Sequence, residues 1–177
     1  MRHTFKRSRI SLWVLVIMAF SQMGFTSAPK SEYQVVIFLA SKCTICRYYA
    51  LPLKQLHQEF SSQGIEFQGV FPNARSTRQQ IRDFKSKYKI PFEMRLDFES
   101  LARKLDASVT PEVFILNQDN QTLYSGRIDN SYFGVGKKRT ITTKNELRDA
   151  LTALVNGKEI PIKHAPAVGC LIEKSRP

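Results

Sequence analysis

An unbroken apolar run, Val35-Val36-Ile37-Phe38-Leu39, is followed three residues later by Cys43-Thr44-Ile45-Cys46, and a helix-like periodicity starts at the second cysteine. A strand apolar at every position is one buried on both faces of a sheet, so layers must cover it from both sides. The cysteines then fall where that strand gives way to a helix. Two cysteines one helical turn apart can close a small disulfide ring. The first sits at the helix N-terminus, whose partial positive charge favours a thiolate. A strand, a C-x-x-C and a helix in that order mark a dithiol redox site.

The rest of the chain alternates in the same way. Tyr49, Leu53, Leu56 and Phe60 recur at spacings of three and four, a helix face that Pro52 is expected to kink. Ser61–Gly64 ends it, and Ile65–Phe71 reads as a second strand. Ser76 or Thr77 can cap a helix reaching Tyr88, with Ile81, Phe84 and Tyr88 on one side. Phe92–Leu96 reads as a short strand and Glu99–Leu105 as a short helix. Glu112–Leu116 and Thr122–Gly126 read as a hairpin closed by Asn117-Gln118-Asp119-Asn120. Ile128–Thr143 reads as a loop, Lys144–Val155 as a last helix, and 158–177 as a tail with no periodicity. The order β-α-β-α-β-α-β-β-α predicts an α/β fold, a mixed central sheet with helices on both faces.

At 177 residues the chain holds one domain of ordinary size. Residues 1–28 read as a leader. Arg2, Lys6, Arg7 and Arg9 precede an apolar stretch from Ile10 to Phe20, and Thr26-Ser27-Ala28 offers small residues for cleavage. The expectation is a signal peptide or, failing cleavage, an N-terminal membrane anchor, with a periplasmic or otherwise exported product. Residues 33–157 form the expected domain and 158–177 the tail. The formal charge of +12 falls to +8 without the leader, which carries four basic residues and no acidic one. The basic residues are scattered, so nucleic acid is not expected as a partner.

Cys43 is the expected nucleophile, with the Lys42 charge favouring its thiolate, and Cys46 the resolving thiol. A structural zinc site would need two further Cys or His at suitable spacing, so no metal and no other cofactor is expected. Copper delivery through Cys43, Cys46 and His164 is the alternative from another class, since soft thiolates with an imidazole suit Cu(I). Val109-Thr110-Pro111 precedes an apolar strand. A cis bond there leaves the Thr110 backbone groups free to pair with an extended substrate, whereas a trans proline would merely open the strand. Cys170 is the odd thiol. It either folds back to exchange with the pair as a third redox cysteine or packs with Leu171 and Ile172 as a small hydrophobe.

Together VVIFLASKCTIC, GIEFQGVF, the Lys85–Phe92 insertion, VTPEVFIL and Leu123–Arg127 resemble the thioredoxin-like redoxins of the TlpA/ResA and AhpC/TSA-related group. The Gly126–Ile172 segment is similar to a redoxin subgroup with a Gly-Cys-Leu-Ile ending. The resemblance implies a thioredoxin fold with one inserted helix and strand. It implies an exported thiol-disulfide oxidoreductase with Cys43 and Cys46 as its dithiol and Pro111 as its cis-proline. Protein thiols and disulfides would be its substrates, and a membrane or periplasmic electron donor its source for reductive cycling. Departures stand beside it. Lys42 replaces the usual Trp, Thr44-Ile45 lacks proline, and Ile37 and Tyr49 occupy positions that carry a carboxylate in relatives. Ala40 occupies the Thr position of the peroxiredoxin Pro-x-x-x-Thr-x-x-Cys motif, which disfavours peroxide reduction.

Overall fold

The apolar run forms the middle of a six-stranded sheet. In the computed structural model, which describes residues 31–97 and 100–173, β1 (Tyr33–Phe38) lies between β2 (Ile65–Phe71), parallel to it, and β5 (Glu112–Asn117), antiparallel. The full order is β3-β2-β1-β5-β6-β9, with β3 at Glu93–Leu96, β6 at Thr122–Gly126 and β9 at His164–Ala165. The expected leader, residues 1–28, lies outside the described residues. Among the described residues no helix is long and apolar enough to cross a membrane.

Strand alternation divides the core in two. Val35, Ile37 and Leu39 join one cluster with the inner face of α1 (Thr44–Phe60), where Ile45, Tyr49, Leu53, Leu56 and Phe60 are buried. α2 (Arg78–Tyr88) contributes Ile81 and Phe84, and α4 (Glu146–Val155) contributes Leu147 and Leu151. Val36 and Phe38 face the other way, with Phe114 edge-on to Phe38 at 5.7 Å. That side is closed by Ala102 of the one-turn α3 (Leu101–Lys104), by Ala107 and by Ile172. Each side of β1 is therefore covered, as its continuous apolarity requires. This is the thioredoxin fold.

Local rules set the element ends. Thr77 caps α2 in a full capping box with Gln80, and both Asp97 carboxylate oxygens accept from backbone N–H groups at the start of α3. α1 runs unbroken through Pro52. Gly64 turns the chain into β2 with φ +79°.

Two segments hold more structure than their sequences suggest. Within the expected loop, β7 (Tyr132–Gly134) and β8 (Lys137–Lys138) make a small hairpin. It is tied to α1 through Tyr48 Oη, which donates to Ser131 Oγ at 3.3 Å, and through Lys138 over the Tyr48 ring at 4.2 Å. Within the expected tail, β9 adds to the sheet beside β6, and β10 (Cys170–Leu171) pairs antiparallel with β4 (Val109–Thr110). Two-residue bridges carry no hydrophobic period, so nothing in the tail's pattern announced them.

Candidate functional site

Cys43 is the N-cap of α1, with extended backbone (φ −75°, ψ 121°) and no acidic residue in the turn that follows. Its N–H donates to Ala40 O at 3.1 Å, and its own carbonyl accepts from Arg47 N–H at 3.2 Å, closing the first helical turn. Cys46 lies one turn deeper and is fully buried, its Sγ accepting from Ala40 N–H at 3.4 Å. The helix thus holds one sulfur at its mouth and one inside the core.

The Thr110–Pro111 bond is cis, and Thr110 O stands 3.2 Å from Cys43 Sγ, which donates to it only when Cys43 is protonated. The approach to this turn is fixed by a residue that sequence reasoning passed over. Glu112 is buried, and its Oε2 accepts from Ser108 N–H at 2.8 Å and Val109 N–H at 3.3 Å. A carboxylate at the head of an otherwise apolar strand was the available signal.

The third sulfur is here too. Cys170 Sγ lies 2.7 Å from Cys43 Sγ, on the donor side of that contact. Cys170 is opposite Thr110 in the β4–β10 ladder, and Thr110 Oγ1 donates to Cys170 O at 3.4 Å. The backbone edge expected to stand free for a substrate is therefore taken by the tail. Leu171 is 79% exposed, so Cys170 and Leu171 do not share an apolar pocket. Cys43 itself is only 3% exposed.

The three thiols differ in acidity. Cys43 is lowered to about 5, first by the hydrogen bond from Cys46; burial opposes this, and the bond from Cys170 adds to it. Cys46 is pushed well above the usual thiol range by burial, then by its bond to Cys43 and the charge there. Cys170 is raised to about 11 by burial and by donating to Cys43. One thiolate is thus held between two thiols that stay protonated at neutral pH. Lys42, expected to favour the Cys43 thiolate, is exposed, and the lowering of Cys43 comes chiefly from the neighbouring thiols.

Tyr49, on the buried face of α1, donates from Oη to Asp129 Oδ1 at 2.5 Å. Asp129 also accepts from Ser131 N–H at 2.7 Å, so this buried carboxylate secures the β7–β8 hairpin. His164 is not brought to the cysteines. β9 seats it beside β6, with Nδ1 2.9 Å from Ser125 Oγ, and among the described residues no cluster of three Cys, His, Asp or Glu side chains could hold a metal. The copper set of Cys43, Cys46 and His164 is thereby overturned. His57, half-buried on α1, has its ring 5.4 Å from that of Phe67 and 5.8 Å from that of Phe92.

The AhpC/TSA family matches residues 20–125, more than half of the chain. No curated protein matches it. Two solved structures share the fold. One is an uncharacterized conserved protein from Geobacillus kaustophilus, 23% identical at a TM-score of 0.73, covering 83% of this chain and 79% of that one. The other is a hypothetical protein from Sinorhizobium meliloti 1021, also 23% identical at 0.73, covering 84% and 82%.

Proposed function

Because the chain belongs to the AhpC/TSA family, we propose that it is an exported thiol-disulfide oxidoreductase working through Cys43 and Cys46, beside the Thr110–Pro111 turn. The observation that carries this reading is the placement of the two sulfurs: Cys43 caps the N-terminus of α1 with Thr110 O 3.2 Å from its Sγ, and Cys46 lies buried one turn deeper, an arrangement that also lowers the Cys43 thiol and raises that of Cys46. A nucleophile ionised at neutral pH beside a partner held in reserve is what disulfide exchange requires.

In the reducing direction, Cys43 thiolate attacks one sulfur of a substrate disulfide. A Cys43–substrate disulfide forms and the other substrate sulfur leaves as a thiolate. Cys46 then passes its proton to the freed substrate thiolate and attacks Cys43 Sγ, forming the Cys43–Cys46 bond and expelling the second substrate thiolate. Two electrons pass to the substrate, and the reverse order oxidises a dithiol. No diffusible cofactor enters. Protein thiols and disulfides are the substrate class, and reductive cycling draws on a membrane or periplasmic donor. Residues 33–157 carry the chemistry, 158–177 the tail, and 1–28 the export signal or anchor. Ala40 offers no side-chain hydroxyl to orient a peroxide, which supports disulfide over peroxide as the substrate.

The test is insulin reduction with dithiothreitol as the donor. Replacing Cys43 by Ser should bring the rate to the protein-free background. A Cys43→Ser protein that reduces insulin at the unsubstituted rate overturns the reading.

A further inference from the structure

We propose that the tail is a tethered substrate strand: β10 occupies the backbone edge beside Pro111 where an extended peptide would pair, and Cys170 exchanges disulfide with Cys43 as a third catalytic cysteine. The inference rests on the reading of Cys43 and Cys46 as a redox pair, and it adds a residue, a route and a competitor for substrate.

The seat is built from several independent contacts. Cys170 and Leu171 face Thr110 and Val109 across an antiparallel ladder, and Ile172 N–H donates to Ser108 O at 3.0 Å. Glu173 N–H donates to Asn73 Oδ1 at 3.0 Å, beyond the end of β2. Gly169 approaches so closely that a Cβ there would lie 2.2 Å from Thr110 O, which no other residue tolerates. Side chains alternate as in any strand. Ile172 is buried among Val36, Phe38 and Phe114, Leu171 points to solvent, and Cys170 turns to Cys43. Main-chain pairing along an edge with one side chain delivered to a site is how an added strand is recognised. Here the added strand is the protein's own, and the delivered side chain is a thiol.

Access separates the roles. Cys46 is fully buried and Cys43 is 3% exposed, whereas Cys170 is partly exposed, so it is the sulfur that meets the outside first. From the oxidised pair, Cys170 thiolate attacks Cys43 Sγ. The Cys43–Cys170 bond forms, the Cys43–Cys46 bond breaks, and Cys46 leaves as a thiolate that takes the proton Cys170 lost. One disulfide exists before and after, so no outside oxidant is needed. From a mixed disulfide on Cys43, the same attack forms the Cys43–Cys170 bond, breaks the Cys43–substrate bond and expels a substrate thiolate that takes the Cys170 proton, while Cys46 stays a thiol. An extended peptide and β10 need the same edge, so substrate lifts the tail and the returning tail displaces substrate.

The experiment maps disulfides by non-reducing peptide mass spectrometry after quenching with N-ethylmaleimide. Reduced protein is given one equivalent of oxidised glutathione. The unsubstituted protein should show both Cys43–Cys46 and Cys43–Cys170 bonds. Cys46→Ser should release glutathione and hold Cys43–Cys170 as its main disulfide. Cys46→Ser with Cys170→Ser should keep glutathione on Cys43, with at least tenfold slower release. The proposal is overturned if the unsubstituted protein shows Cys43–Cys46 alone and Cys46→Ser keeps glutathione on Cys43 with Cys170 alkylated. Insulin reduction by the same preparations separates the two readings. If it depends on Cys43 while Cys170 never bonds, only the present inference falls.

Discussion

Replacing Gly169 by Ala tests the seating of the tail without touching a thiol. The new Cβ would stand 2.2 Å from Thr110 O and 2.6 Å from its carbonyl carbon, and both are backbone atoms. Contacts that short are not met by side-chain rearrangement. Thr110 has little freedom, because Glu112 holds Ser108 and Val109 and Pro111 follows. The strain therefore falls on β10, whose hold is a two-residue ladder, a few hydrogen bonds and Ile172. Overpacking of this kind costs about 1–3 kcal/mol. At about 1.4 kcal/mol per factor of ten, the detached form gains roughly fivefold to a hundredfold in population. Docked Cys170 is held as a thiol against Cys43, so labelling runs through the detached form, and when detachment is fast compared with chemistry alkylation rises by up to the same factor. The assay is pulsed iodoacetamide labelling of reduced protein, with the Cys170 peptide quantified by mass spectrometry and folding checked by circular dichroism. Leu171→Ala is the control. Its side chain is 79% exposed, so labelling should stay within about twofold of the unsubstituted rate. A folded Gly169→Ala protein that labels Cys170 at the unsubstituted rate refutes the reasoning.

The remaining predictions concern the thiolate and the frame around it. Thiolate absorbance near 240 nm should report Cys43 ionising at about pH 5, with charge present above that pH and lost below it. Cys46→Ala removes the largest stabilising hydrogen bond, so the midpoint should move up; an unsubstituted midpoint between 8 and 9 contradicts the assignment. A stabilised thiolate makes a couple more oxidising, so equilibration with glutathione should place the Cys43–Cys46 potential between about −270 and −120 mV. A value below that range counts against the thiolate as the controlling feature. Arg127→Ala should cost about 3 kcal/mol in urea unfolding, because Glu146 is buried and its Oε1 accepts two hydrogen bonds from the Arg127 guanidinium. A loss under 1 kcal/mol would show that water reaches Glu146.

How much of this was legible depends on whether a feature is local. The α1 face, Ile65–Phe71, the Thr77 cap and the Asn117–Asn120 hairpin each carry their signal within a few residues, and each stands where the pattern put it. The C-x-x-C at a helix mouth is local in the same sense. What stayed hidden is made of long-range pairs. Tyr49 and Asp129 are eighty residues apart in sequence and meet only because α1 and the β7–β8 loop pack together. Glu112 is the local exception: it was read only as the first residue of a strand, and its partners, the Ser108 and Val109 N–H groups, lie four and three residues before it. Two-residue strands such as β9 and β10 exist only through their partners, β6 and β4.

The fate of Cys170 shows why the hidden part matters for chemistry. With Lys42 exposed, the acidity of Cys43 comes mainly from two thiol donors, and one of them arrives on the tail. Lifting the tail therefore does two opposing things: it removes a hydrogen bond from the thiolate and uncovers it. At neutral pH the first effect is small. Cys43 starts at about 5, well below neutral, and the stronger donor, Cys46, stays in place when the tail lifts. Exposure from 3% has far more room to grow. Uncovering thus outweighs the lost hydrogen bond, and Gly169→Ala should react faster than the unsubstituted protein with an extended disulfide-bonded peptide. A Gly169→Ala protein slower than the unsubstituted one at pH 7 would mean that the tail activates Cys43 more than it covers it.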